Sequence, residues 1–113
     1  MTLILHITSR DAWLAAQRAG EYRGDTLETD GFIHCSDPDQ VLGVANGFFA
    51  GQTGLVLLCI AAGKVGPEIR YEDLYDAGKR FPHIYGPLNL DAVTKVVDFP
   101  PQADGTFALP EGI

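Results

Sequence analysis

Leu55-Val56-Leu57-Leu58-Cys59-Ile60-Ala61-Ala62, opened by Gly54, is a continuous apolar run in a chain of 113 residues. A half-buried strand alternates apolar with polar side chains, because its two faces meet different surroundings. A run with no polar position leaves no face for water and fits a central strand covered on both sides. At eight residues it is also far short of the roughly 20 needed to span a bilayer. The rest of the fold is read outward from this strand.

Upstream, residues 3–7 alternate as a second strand and put His6 on the same face as Ile4 and Thr8. A helix follows over residues 10–19, with Ser9 or Thr8 as its cap, Trp13, Ala16 and Gln17 on one face, and Gly20 as its stop. From Gly20 to Gly31 the chain is polar and turn-rich, and reads as an exposed loop carrying Tyr22, a candidate lid. GFIHC at 31–35 is a short strand. Ser36, Asp37, Pro38 and Asp39 then have the composition of a helix start, with a cap, an acidic first turn and an early proline. Val41, Val44, Ala45, Phe48 and Phe49 recur at helical spacing, so this helix is expected to run to about Ala50, where Gly51 stops it.

Downstream of the central run, IRYEDLY at 69–75 mixes apolar and charged residues as a half-exposed strand does, and Asp76, Ala77 and Gly78 break it. FPHIYGPL at 81–88 is expected to be extended around His83 to Tyr85, with those two side chains on one face and Ile84 on the other. Asn89 to Ala92 reads as a single helical or 3₁₀ turn before a strand in AVTKVVDF at 92–99. Pro100, Pro101 and Pro110 keep the tail out of a central sheet position. The expected class is α+β, a compact mixed, split β-sheet with two main helices in the N-terminal half, in one domain spanning 1–113.

The chain is 46% hydrophobic and carries 15 acidic against 8 basic residues, for a net charge of −7. That field repels a long phosphate backbone, so extended nucleic acid is not the expected partner. A small anionic ligand is still compatible, because backbone N–H groups and one or two arginines can hold a phosphate locally. No apolar segment fits a membrane span or a cleavable leader, and a cytoplasmic setting is the expectation. Cys35 and Cys59 lie in apolar runs without a second pair, and read as buried reduced thiols rather than a disulfide framework or zinc site.

Three histidines carry the candidate chemistry. His6 interrupts an apolar strand, where one carbonyl can satisfy it or where it can serve a site. His34 ends a strand just before a helix start, a junction where ligands bind in many α/β proteins. Ser36 beside it can cap the helix, line a pocket, or both. His83 and Tyr85 form a polar pair able to orient a ligand hydroxyl or amide, or else a rigid turn with an aromatic plug. Glu72 can act as a general base or accept a ribose hydroxyl; the alternative is a surface carboxylate paired with Arg70 or Lys79. The histidines lack the close spacing of familiar metal motifs, and no metal is expected. All three are expected to converge on one cleft.

LILHIT at 3–8, Trp13, GEY at 20–22, GFIHCS at 31–36 with Gln40, RYE at 70–72, and FPHIYGPL with Ala92 and Val93 together resemble the DUF952 family over nearly the whole chain. That family looks like a compact relative of the ADP-ribosyltransferase superfamily. The resemblance implies a split β fold clasping NAD, as substrate, in a cleft: His6 and Thr8 would bind a ribose or the nicotinamide end, and His34 and Ser36 would help hold the nicotinamide. It also implies a late-strand group that orients the ribose and stabilises an oxocarbenium-like state. Superfamily transferases use glutamate there; this chain has His83 with Tyr85, and Glu72 earlier. The implied activities are transfer or NAD glycohydrolysis, with non-catalytic binding or sensing of a small nucleotide as the alternative.

Overall fold

In the computed structural model, which describes residues 2–74, 76 and 78–113, the apolar run forms strand β4 (Leu55–Ala61), and each of its seven residues is buried. The period of two divides its side chains between two clusters. Val56, Leu58 and Ile60 pack with Ile4, Trp13, Ala16, Ile33, Ile84 and Leu88. Leu55, Leu57 and Cys59 pack on the other side with Leu5, Val41, Ala45, Phe99 and Phe107. Both faces need cover because neither contains a polar residue.

β4 lies between β1 (Leu3–Ser9) and β8 (Val93–Asp98), antiparallel to both. Helix α1 (Arg10–Ala19) covers one face with Trp13 and Ala16, while Gln17, expected on that face, is exposed. Ser9 caps α1 by accepting the Ala12 N–H at 3.0 Å. Gly20 closes it in the left-handed region (φ 88°), a conformation that a Cβ would penalise. That reversal sends the chain into β2 (Glu21–Tyr22), which pairs with β7 (Leu88–Asn89). One-turn helix α2 (Leu27–Asp30) follows.

The third sheet is β3 (Ile33–His34), β6 (Phe81–Tyr85) and β5 (Glu68–Glu72), antiparallel with β6 in the middle. Its register sets His34, His83 and Arg70 in one row. Leu5 joins it to the first sheet by exchanging backbone hydrogen bonds with Ser36 at 2.7 and 2.8 Å. The architecture is thus a mixed α+β fold with several antiparallel sheets. A 3₁₀ turn at Leu90–Ala92 precedes β8, as the sequence predicts. Tyr75 and Ala77, at the expected end and break of the IRYEDLY strand, lie outside the described residues. Among the described residues no helix is long and apolar enough to cross a membrane.

Two expectations need correction. Helix α3 spans Val41–Phe48 rather than starting at Ser36 and reaching Ala50, and its N-cap position is Gln40. Ser36 cannot cap it, because its backbone is held in the Leu5 bridge; residues 37–40 form a turn in which Asp37 N–H donates to Gln40 Oε1 at 2.9 Å. The Gln40 amide also donates to the Arg80 carbonyl at 2.7 Å, tying that turn to the entrance of β6. The second correction concerns Tyr22. It is no lid, since pairing with Leu88 draws it inward until it is 3% exposed.

Candidate functional site

His6, on β1 opposite Leu58, is buried, and both of its ring nitrogens are occupied. Nδ1 lies 2.5 Å from the His34 carbonyl, which can only accept, so Nδ1 carries the proton. Burial pushes His6 down to about 4, partly opposed by that carbonyl, and the ring is therefore neutral at pH 7. A neutral ring has one N–H, so Nε2 accepts from the Tyr22 hydroxyl 2.7 Å away. With its one proton committed there, Tyr22 takes the Thr8 hydroxyl as donor at 2.9 Å. Burial pushes the Tyr22 phenol up to about 12, consistent with a hydroxyl that stays protonated. Thr8, Tyr22, His6 and the His34 carbonyl form one directed chain.

His34 projects from β3 with Nε2 3.0 Å from Asp30 Oδ2, at the end of α2. His83, from the middle of β6, is 1% exposed, and its Nδ1 donates to Glu72 Oε1 at 3.0 Å. Tyr85 donates to the same oxygen at 2.5 Å. Those two donors hold Glu72 below the usual carboxylate range, the Tyr85 bond contributing most. Burial lowers His83, and the Glu72 hydrogen bond only partly offsets it. The ring of Phe32 stacks on His83 with centroids 4.2 Å apart and planes at 22°. The His34 and His83 rings meet edge to face at 5.3 Å.

A cleft of about 510 Å³ opens beside these groups. Its lining includes His6, His34, Ser36 and His83, the apolar side chains of Val44, Phe48, Phe49 and Phe81, and Asp25. The convergence of three histidines from three strands, expected from sequence, is present. The other expected residues stand behind this lining. Thr8 reaches the cleft only through Tyr22 and His6, while Glu72 and Tyr85 reach it only through His83. His6 brings no free ring nitrogen to the cleft, both being engaged within the protein. Phe48, expected to face the core with the rest of its helix stripe, is 82% exposed at the mouth.

Neither Asp25 nor Phe32 carries a local sequence signal: Asp25 belongs to a polar turn-rich stretch, and Phe32 reads as one more apolar strand residue. Only the register brings Phe32 onto His83. Among the described residues no three His, Cys, Asp or Glu side chains gather in a metal-binding arrangement. Cys35 also lines the cleft, yet burial pushes its thiol well above the ordinary range. Cys59 is raised in the same way. Since the thiolate is the reactive species, a thiol-specific reagent is expected to label neither cysteine in the native protein at pH 7 and both after unfolding. Equal labelling rates in the two states would contradict this.

The family model described as a protein of unknown function, DUF952, matches residues 7–96. The chain belongs to the DUF952 family. A crystal structure of protein CC0527 from Caulobacter crescentus is similar over 96% of this DUF952 chain and 95% of that one, at 39% identity and a TM-score of 0.87. A solution structure of CC0527 matches at 38% identity and a TM-score of 0.84, covering 100% of this chain and 97% of that one. A crystal structure of a CC0527 double mutant gives 39% identity and 0.86. No curated protein matches the chain.

Proposed function

We propose that this DUF952 protein binds a nucleotide of the NAD or ADP-ribose class in the histidine-lined cleft and acts on the nicotinamide–ribose bond. The observation that carries this reading is the meeting of His6, His34 and His83 on one cleft whose lining also contains Phe48, Phe49 and Phe81. Flat heterocycles stack on Phe side chains, and ribose hydroxyls suit neutral imidazole and hydroxyl partners. No lysine or arginine lines the cleft among the described residues. Recognition therefore falls on the nucleoside end, with the phosphates directed toward the open mouth. An ADP-ribosyltransferase-like clasp and a cytoplasmic setting belong to the same reading.

Binding without turnover is a second reading, favoured by one observation. An oxocarbenium-like transition state is stabilised by a nearby carboxylate, and Glu72 is engaged behind His83 rather than lining the cleft. Titration calorimetry with NAD and ADP-ribose, followed by nicotinamide release over hours, separates the two. Binding with release supports the enzyme; binding alone supports a sensor. His34→Ala keeps the backbone carbonyl that holds His6 and is expected to weaken affinity about ten-fold, one hydrogen bond's worth. If wild-type protein binds neither compound, both readings fail.

A further inference from the structure

His83 has one ring nitrogen engaged and the second left over. Its Nδ1 is bonded to Glu72, and Nε2 has no hydrogen-bond partner among the described residues. No sealed side-chain nitrogen or oxygen in those residues lacks a partner. An unpartnered Nε2 on a side chain only 1% exposed must therefore keep an opening, and the cleft is the opening that His83 lines.

The ring around that atom is held from several sides. Glu72 Oε1 fixes Nδ1 at 3.0 Å, and Phe32 stacks on the ring at 4.2 Å. Glu72 is itself held by the Tyr85 hydroxyl at 2.5 Å, and the Arg70 guanidinium lies 4.5 Å over the Tyr85 ring. A carboxylate only accepts, so the proton of a neutral ring sits on Nδ1 and the lone pair on Nε2. A histidine oriented by a carboxylate, with its far nitrogen open to a ligand space, is the arrangement required of a general base.

We propose that His83 Nε2 is the proton acceptor for a water molecule or ligand hydroxyl in the cleft, and that Glu72 is a positioning residue acting through the imidazole rather than on the ligand. The inference rests on the nucleotide reading of the cleft for its substrate. The water oxygen bonds to the ribose carbon as the bond from that carbon to the pyridinium nitrogen breaks. The bonding pair stays on nitrogen, so nicotinamide leaves neutral. The water proton passes to Nε2, giving an imidazolium beside the Glu72 carboxylate, and then to solvent. The products are ADP-ribose, nicotinamide and one proton, with no oxidant or reductant involved.

Side-chain ¹⁵N NMR of the free protein tests the proton's location without any ligand. Wild type is expected to show His83 as the Nδ1–H tautomer. In Glu72→Gln, whose amide can also donate to Nδ1, that single tautomer is expected to be lost. The same variant is expected to release nicotinamide at least about ten-fold more slowly with NAD affinity within two-fold, and His83→Ala roughly 100-fold more slowly or worse. An Nε2–H tautomer in wild type overturns the assignment, since such a ring cannot accept at Nε2. Unchanged tautomer and rate in Glu72→Gln overturn the positioning role. Should NAD and ADP-ribose both fail to bind, the nucleotide reading falls, and the tautomer measurement still decides whether Nε2 is available as an acceptor.

Discussion

As pH falls from 6.5 to 4, His6 alone is expected to remove about 3 kcal/mol of folding stability. In the unfolded chain His6 takes up a proton near its ordinary value of 6.5; in the folded protein burial delays uptake to about 4. The unfolded state therefore binds more protons throughout this window, so acidification favours unfolding. The contribution is fully present above 6.5, is lost progressively on the way down, and stops changing below about 4. His83 is also lowered and adds to the effect with the same sign. Glu72, Glu68 and Asp104 are depressed carboxylates, whose contributions are lost below the ordinary carboxylate range and so fall mostly outside the window.

Denaturant unfolding across that pH range, on wild type and His6→Asn, isolates the histidine. An asparagine amide can still donate to the His34 carbonyl but does not titrate. The variant is expected to be less stable at pH 7 by about 1–3 kcal/mol, because the Tyr22 hydroxyl loses its acceptor in a buried position. It is also expected to have a much flatter pH profile between 6.5 and 4. Parallel profiles would mean that the buried ring is not the acid-sensitive element.

The second large effect lies in β4. Leu57→Ala and Leu58→Ala are each expected to cost about 3 kcal/mol, within the range for buried leucines replaced by alanine. That corresponds to a melting-temperature drop on the order of 10 °C for a domain of this size. Adjacent residues on an ordinary half-exposed strand differ sharply, since one faces water. Here Leu58 lies in the Trp13 cluster and Leu57 in the Phe99 cluster, both fully buried, so the costs should be similar. Calorimetric melting of the two variants measures this, and a cost under about 1 kcal/mol for either would refute cover on both faces.

Elements whose cause is local were legible in the sequence. The apolar run of β4, the Ser9 cap and Gly20 stop of α1, and the 3₁₀ turn before β8 all follow from propensities and short-range hydrogen bonds. Ser36 was misleading for the same reason: it has a capping side chain in a capping context, but Leu5, 31 positions upstream, takes its backbone. Tyr22 was illegible because a polar loop around one aromatic gives no sign of a strand partner at Leu88. Glu72 showed as a candidate, but its role behind His83 depends on the β5–β6 register.

The order of residues is enough to place a doubly covered strand at the centre of an α+β domain, and three histidines at strand positions where an unpaired imidazole would be costly. How those histidines differ depends on the pairing of segments far apart in the chain. His6 has both nitrogens engaged and helps hold the site together, His34 is half-exposed beside Asp30, and His83 has Nδ1 bonded to Glu72 while Nε2 has no partner among the described residues. The reason is physical. A side chain's type sets which hydrogen bonds it can make, but strand pairing between distant segments sets which partners are within 3 Å, and for a histidine the partner on one nitrogen determines what the other can do.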